Sequence, residues 1–200
     1  MNKLKRNFLK YFFEFIIVTF GVALGLILSE WRKNEETELK KQQSIHYIIN
    51  EIETNKEELS KTVQYHELIK KNIDSISRNF PSEKLSMNIL EKGAFHPMKI
   101  KGWKGLEIPK LSETAFNNLK LSGIIENYSF ESLEEISKVY NQQKYLTELS
   151  SSLIEKTVNF NSNTKVSDMM MVLDLLTSDY LQLEKELIID YNESIEKLKP

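Results

Sequence analysis

Residues 15–29 read FIIVTFGVALGLILS, fifteen consecutive positions without a formal charge. This run sets the architecture. With its flanking aromatics it extends over residues 11–31, 21 positions, and at ~1.5 Å per helical residue that length matches the ~30 Å hydrocarbon core of a bilayer. Tyr11 and Trp31 stand where amphipathic rings favour the headgroup layers, and Glu30, Arg32 and Lys33 mark a polar exit. The mean hydropathy of the whole chain, -0.39, hides this segment because the apolar residues are concentrated rather than spread.

A cleaved signal peptide competes with a retained anchor. Lys3, Lys5, Arg6 and Lys10 would form its basic start, and Ala23-Leu24-Gly25 its small-x-small cleavage site. Leu26, Ile27 and Leu28 carry the apolar run past that site and Glu14 interrupts its early part, so length and flanks favour the anchor. Residues 1–13 hold four positive and no negative side chains, whereas Arg32, Lys33, Lys40 and Lys41 are mixed with Glu35, Glu36 and Glu38. The positive-inside bias then places the N-terminus in the cytoplasm. The expected organisation is a short basic cytoplasmic tail over residues 1–10, a transmembrane helix over residues 11–31 in the inner (cytoplasmic) membrane, and an extracytoplasmic domain over residues 32–200, periplasmic in a Gram-negative cell.

Within the anchor, Gly21 and Gly25 form a GxxxG pair that Ser29 extends to three small residues spaced by four. Such a row lets two helix backbones approach closely in lipid, where packing drives association. At about 100° per residue, Glu14 falls about 20° from the lines of Gly21 and Gly25, so a transmembrane interface of Glu14, Gly21, Gly25 and Ser29 is expected. A buried carboxylate in this layer marks an interface or a conduction path. The alternative is that Glu14 snorkels to the headgroups and the glycine spacing is coincidental. The partners expected are membrane lipids and either further copies of the chain or another membrane protein.

The same stretch carries a resemblance. The run from Glu14 through Gly21 to Trp31 resembles the opening signature of a family of bacterial membrane proteins of the Bacteroidetes type, the domain-of-unknown-function family numbered 6090. Its pattern is an acidic residue, an aliphatic stretch, Gly seven positions on and Trp ten further. Gly25 and Ser29 stand where that family usually has Ala and Asn. Leu119-Lys120-Leu121-Ser122-Gly123 is similar to its Leu-Lys-Ser-Ser-Gly element, and Val139-Tyr140-Asn141 to its Tyr-Tyr-Asn. The resemblance implies a single-pass membrane protein and supplies no activity.

Beyond the anchor, residues 34–79 contain neither Gly nor Pro, and Ile45, Ile52, Leu59, His66, Ile73 and Phe80 recur every seven residues. A long amphipathic helix is predicted, with Ile48, Ile49, Val63, Ile69 and Ile76 widening the stripe to suit a bundle or a coiled coil. Pro81 ends it, and Ser82 is expected to cap a short helix through Leu90. Residues 93–111 form the irregular segment, with Gly93, Gly102, Gly105, Pro97 and Pro109. Met98-Lys99-Ile100-Lys101 alternates as a short strand would, without a partner to make a sheet. His96, Lys99, Lys101, Trp103 and Lys104 form a loop contact suited to lipid phosphates or an acidic partner, the simpler reading being a connecting loop whose Trp103 plugs the bundle. Ser112 is expected to cap a helix that Ser122-Gly123 stops. Ser129 caps the next, through about Asn159, and Ser167 opens a final one. The fold class is all-α: one N-terminal transmembrane helix, then an extracytoplasmic helical bundle with one irregular segment.

Composition closes several chemistries. The 27 basic and 29 acidic side chains nearly cancel at net -2, which argues against a nucleic-acid partner. Absence of Cys removes disulfides, thiolate catalysis and cysteine-ligated metal. His46 and His66 lie about 200° apart around one helix and share no metal. No metal or cofactor is expected. His66, on the apolar seam, reads most simply as a bundle histidine with a hydrogen-bond partner, with a pH switch as the alternative. Neither a phosphate-cradling loop nor a nucleophile-base set can be assembled, so no enzyme is expected. A membrane-anchored structural or interaction protein leads, followed by a ligand-sensing domain that signals through a partner subunit.

Overall fold

A computed structural model describes the backbone of residues 3–199 and the side chains of residues 10–199. The side chains of Lys3, Lys5 and Arg6, on which the expected cytoplasmic tail depends, lie outside the described residues. The chain forms two compact units, residues 1–44 and 45–200. Among the described residues the main regular elements are helices: α1 (Lys3–Ser77), α2 (Thr114–Leu121), α3 (Phe130–Val158), α4 (Val166–Leu175) and α5 (Leu181–Leu198), with a π turn (Leu176–Tyr180) between the last two. Helix α1 has residues in both units, and the predicted anchor and amphipathic helix are stretches of this one element.

The first unit contains a helix stretch whose most apolar 18-residue window has a mean hydropathy of 2.2 and no buried residue, long and apolar enough to cross a membrane. Phe15, Ile17, Val18, Phe20, Val22, Leu26, Ile27 and Leu28 are exposed on every side of it.

In the second unit the seven-residue seam points inward. Ile52, Leu59 and His66 are fully buried and Ile73 nearly so. Ile48, Ile52 and Leu59 join Ile136, Leu146 and Leu153 of α3 and Leu187, Tyr191 and Ile195 of α5 in the larger apolar cluster. Farther along α1, Ile69 and Ile73 meet Phe95 and Ile100 of the irregular segment and Val166, Met169 and Leu173 of α4 in a second cluster. Each fully buried aliphatic side chain contributes about 1.5 to 3 kcal/mol.

Helix α3 runs in the same direction as α1, since Glu51 meets Tyr140 and Asn55 meets Gln143. Helix α5 runs the other way, Lys56 meeting Asn192 and His66 meeting Glu184. Parallel neighbours need a return connection, and the irregular segment supplies it. Asn72 holds Lys101, Tyr65 holds Lys104 and Gly105, His66 holds Leu106, Asn55 holds Ser112 and Glu51 holds Ala115. The segment is a strap laid antiparallel along α1. Gly102 and Gly105 adopt φ of 81° and 115°, conformations that side chains resist.

Several boundaries differ from expectation. The predicted helix from Ser82 to Leu90 is a single 3-10 turn, Ser82–Ser86, without a side-chain cap. The chain then extends so that Asn88 can pair with Lys165, Ile89 N–H donating to Thr164 and Val166 N–H to Met87. The alternating Met98–Lys101 stretch contains a 3-10 turn instead of a strand, with Ile100 buried and Met98 exposed. Ser112 sits one residue before the N-cap of α2 and spends its backbone on Asn55. Helix α4 starts before Ser167, because the Asp168 carboxylate reaches back to Lys165 N–H at 2.9 Å. Gly123, at φ 70°, follows α2 as expected, and Ser129 caps α3 by accepting from Ser132 N–H.

Since residues 45–200 form their own apolar core, a fragment of those residues is expected to fold without residues 1–44. Circular dichroism should show mainly helix and one cooperative melt; an unfolded fragment would contradict this.

Candidate functional site

The interior of the second unit is crossed by two polar layers. In the first, Asn55 and Gln143, both buried, face each other across α1 and α3. Asn55 Nδ2 donates to Gln143 Oε1 at 3.0 Å and to the Ser112 carbonyl at 2.8 Å, and Ser112 N–H returns a bond to Asn55 Oδ1 at 2.8 Å. Gln143 Nε2 donates to the same carbonyl at 3.0 Å, and Tyr191 of α5 donates its hydroxyl to Gln143 Oε1 at 2.6 Å. One turn away, Glu51 accepts from Tyr140 and Ser112 hydroxyls, both at 2.6 Å, and from Ala115 N–H at 2.9 Å. Burial alone would raise the Glu51 pKa, but these bonds outweigh it and hold the carboxyl below its ordinary value. A carboxylate from α1 thus caps α2, whose N-cap Glu113 provides no side-chain bond of its own. Burial, then the Glu51 carboxylate, pushes the Tyr140 phenol up, so it remains a donor.

The second layer is a fully buried pair, His66 of α1 and Glu184 of α5. His66 Nε2 lies 2.7 Å from the Leu106 carbonyl and Nδ1 lies 2.7 Å from Glu184 Oε2. A carbonyl only accepts, so Nε2 carries a hydrogen. One further proton lies between Nδ1 and the carboxylate, whichever atom holds it. Burial raises the Glu184 pKa, and the His66 hydrogen bond opposes the rise. Tyr65 and Tyr180 rings flank the imidazole at 5.5 and 5.9 Å. Glu184 Oε1 and Tyr180 Oη are buried without a hydrogen bond of proper geometry, although Ser150 lies beside the phenol. Tyr180 belongs to the π turn, a wide turn often found at functional positions.

The residues singled out from sequence fall elsewhere. In the apolar stretch of α1, Glu14 lies 3.9 Å from Lys10 one turn back. A Cβ placed on Gly21 or Gly25 would meet nothing within 4 Å, Ser29 is exposed, and Tyr11 and Trp31 are exposed at 67% and 63%. In the strap, His96 accepts weakly from Met98 N–H, Lys99 donates to the Ala94 carbonyl, and Lys101 and Lys104 are exposed. Trp103 is half-buried and packs against both apolar clusters. The strap lysines therefore face solvent while the indole faces the core. Glu184 escaped sequence reasoning because it lies 118 residues from His66; its inward spacing with Leu181 and Leu187 is the one signal that could have found it. Among the described residues, no group of three or more His, Asp or Glu is placed to hold a metal ion.

No family model, curated protein or solved structure matches this chain.

Removing one member of the first layer strands buried partners. Asn55→Ala is expected to destabilise the fold by about 2 to 4 kcal/mol, against less than about 0.5 kcal/mol for Glu57→Ala on the exposed face two positions on. Denaturant unfolding of the full chain in detergent micelles, followed by circular dichroism, measures both; equal losses would refute the layer's importance.

Proposed function

We propose that this chain is a membrane-anchored structural or protein-interaction protein that self-associates through its anchor, with its N-terminus in the cytoplasm of a bacterial cell and its helical bundle outside the inner membrane. The observation that supports this reading best is the 18-residue apolar window of α1, wholly exposed in the isolated chain. Such a surface is stable in lipid, against another helix, or both. The open groove over Gly21 and Gly25 gives a second helix room to approach, and the Lys10 partner lowers the cost of Glu14 near the headgroups. The spacing of Glu14, Gly21 and Trp31 supports kinship with the family numbered 6090, and the proposal assigns the chain no catalytic step.

A membrane self-association assay on residues 11–31 tests it. Gly21→Ile and Gly25→Ile should each lower association severalfold relative to Val22→Ile on another face, and Glu14→Gln should be tolerated better than Glu14→Leu. Equal association in the three helix-face variants would overturn the interface.

One observation favours the second reading, a ligand-sensing domain acting through a partner subunit. A groove of about 320 Å³ runs between residues 67–78, at the end of α1 and just past it, and residues 178–185. Lys185 neutralises Glu67 at 2.6 Å, leaving Lys70, Lys71 and Arg78 facing a single carboxylate, Asp74. Calorimetric titration of the full chain with inorganic pyrophosphate should give saturable heat that Lys71→Glu removes; no heat would dismiss this reading.

A further inference from the structure

The strap crosses His66 at the point where α1, α5 and the π turn converge. Three consecutive strap residues depend on two consecutive residues of α1: Lys104 N–H donates to Tyr65 Oη at 2.9 Å, that hydroxyl donates to the Gly105 carbonyl at 2.8 Å, and His66 Nε2–H donates to the Leu106 carbonyl at 2.7 Å. Glu107 just beyond has φ 48°, a left-handed conformation unusual for a side-chain-bearing residue. Opening the strap here would wet the imidazole and uncover Trp103, which packs against both clusters.

We propose that the His66–Glu184 pair is a proton-operated clasp, which binds the strap most tightly in mildly acid solution and loosens it as pH rises above the ordinary histidine range.

The sign follows from counting protons. With the strap closed the pair holds two, one on Nε2 and one between Nδ1 and Oε2, and is neutral. A third would bury a net positive charge and the loss of one a net negative charge, and both are costly without water. An open state in which water reaches both side chains leaves them near the values of free histidine and glutamate, about 6.5 and 4.3. Between about pH 4.3 and 6.5 the open pair also holds two protons, so opening does not depend on pH. Above about 6.5 the open pair holds one, closing must take up a proton, and the closed population falls about tenfold per pH unit. The raised pKa of Glu184 has the same sign: a group that keeps its proton longer when folded contributes stability that is lost as pH rises. The charged and titratable groups around the pair do not supply this proton. Glu67 of α1 and Lys185 of α5 neutralise each other at 2.6 Å. Tyr65 of α1 and Tyr180 of the π turn are both pushed up by burial and stay protonated, while Glu107 and Lys104 of the strap are exposed. Helix α3 adds only the neutral Ser150 hydroxyl beside Tyr180.

Glu184→Gln separates the clasp from general pH effects. Its amide can donate to Nδ1 and keep the packing, but the closed pair then holds only the Nε2 hydrogen. The pH dependence must invert, becoming flat above about pH 6.5 and losing about tenfold per unit below it. Hydrogen–deuterium exchange on the full chain in detergent micelles, between pH 5 and 8.5 and corrected for intrinsic exchange, reads this directly. In the unaltered chain, protection of peptides covering residues 101–108 should be level up to about pH 6.5 and fall about tenfold per unit above it, while α3 peptides covering residues 136–150 hold theirs. In Glu184→Gln the slope should move to the acid side. Level protection above pH 6.5 in the unaltered chain, matching pH profiles in the two proteins, or parallel loss in α3, would overturn the clasp.

Discussion

A polar side chain shut away from water must find its partners inside the protein, and helix α1 carries the half-buried Glu51 and the buried Asn55 and His66 into the bundle. Each is answered from elsewhere, by Tyr140, by Gln143 with Tyr191, and by Glu184. Apolar contacts tolerate sliding, because one isoleucine replaces another at modest cost. These bonds do not. A slip of one residue between α1 and either neighbour would leave several buried groups unpaired at about 1 to 3 kcal/mol each. The apolar seam supplies the adhesion, and the polar layers choose one stagger out of many.

The strap answers a topological demand. Helices α1 and α3 point the same way, so the chain must travel back along the bundle before α3 can begin, and it does so in largely extended form. Extended chain has no internal ladder for its backbone groups. Much of the deficit is met by side chains of α1, from Asn72 at one end to Glu51 at the other, while Trp103, Leu106 and Ile108 add apolar contact. Helix α1 therefore serves both as a wall of the core and as a rail for this connection.

How much of this was legible in the sequence depends on the range of the forces involved. The apolar helical stretch of residues 11–31, the seven-residue seam, the Gly123 stop and the Ser129 cap arise from neighbours within a turn or two, and the sequence displays them directly. Ser82 and Ser167 mislead for the same reason: each has cap chemistry, but Asp168 reaches Lys165 first, and the pairing of Asn88 with Lys165 draws the chain after Ser86 out of helix. The partnership of His66 with Glu184 and the grip of Asn55 on Ser112 are contacts across 118 and 57 residues, which no local pattern announces. The irregular composition of residues 93–111 showed where a connection lay, but its path along α1 depends on bonds to backbone atoms, which every residue possesses alike.

The π turn at Leu176–Tyr180 has a consequence for the lengths this chain can adopt. A wide turn accommodates one residue more than an α-helical turn, so α5 is phased as if the chain were one residue shorter. Deleting a residue within the turn would leave a continuous α-helix with Glu184 still directed at His66. Deleting one from the middle of α4 or α5 would swing everything beyond it by about 100°. Between the start of α4 and the end of α5, tolerance of length change is thus concentrated in five residues, and the turn has the form that a one-residue insertion would leave in an unbroken helix.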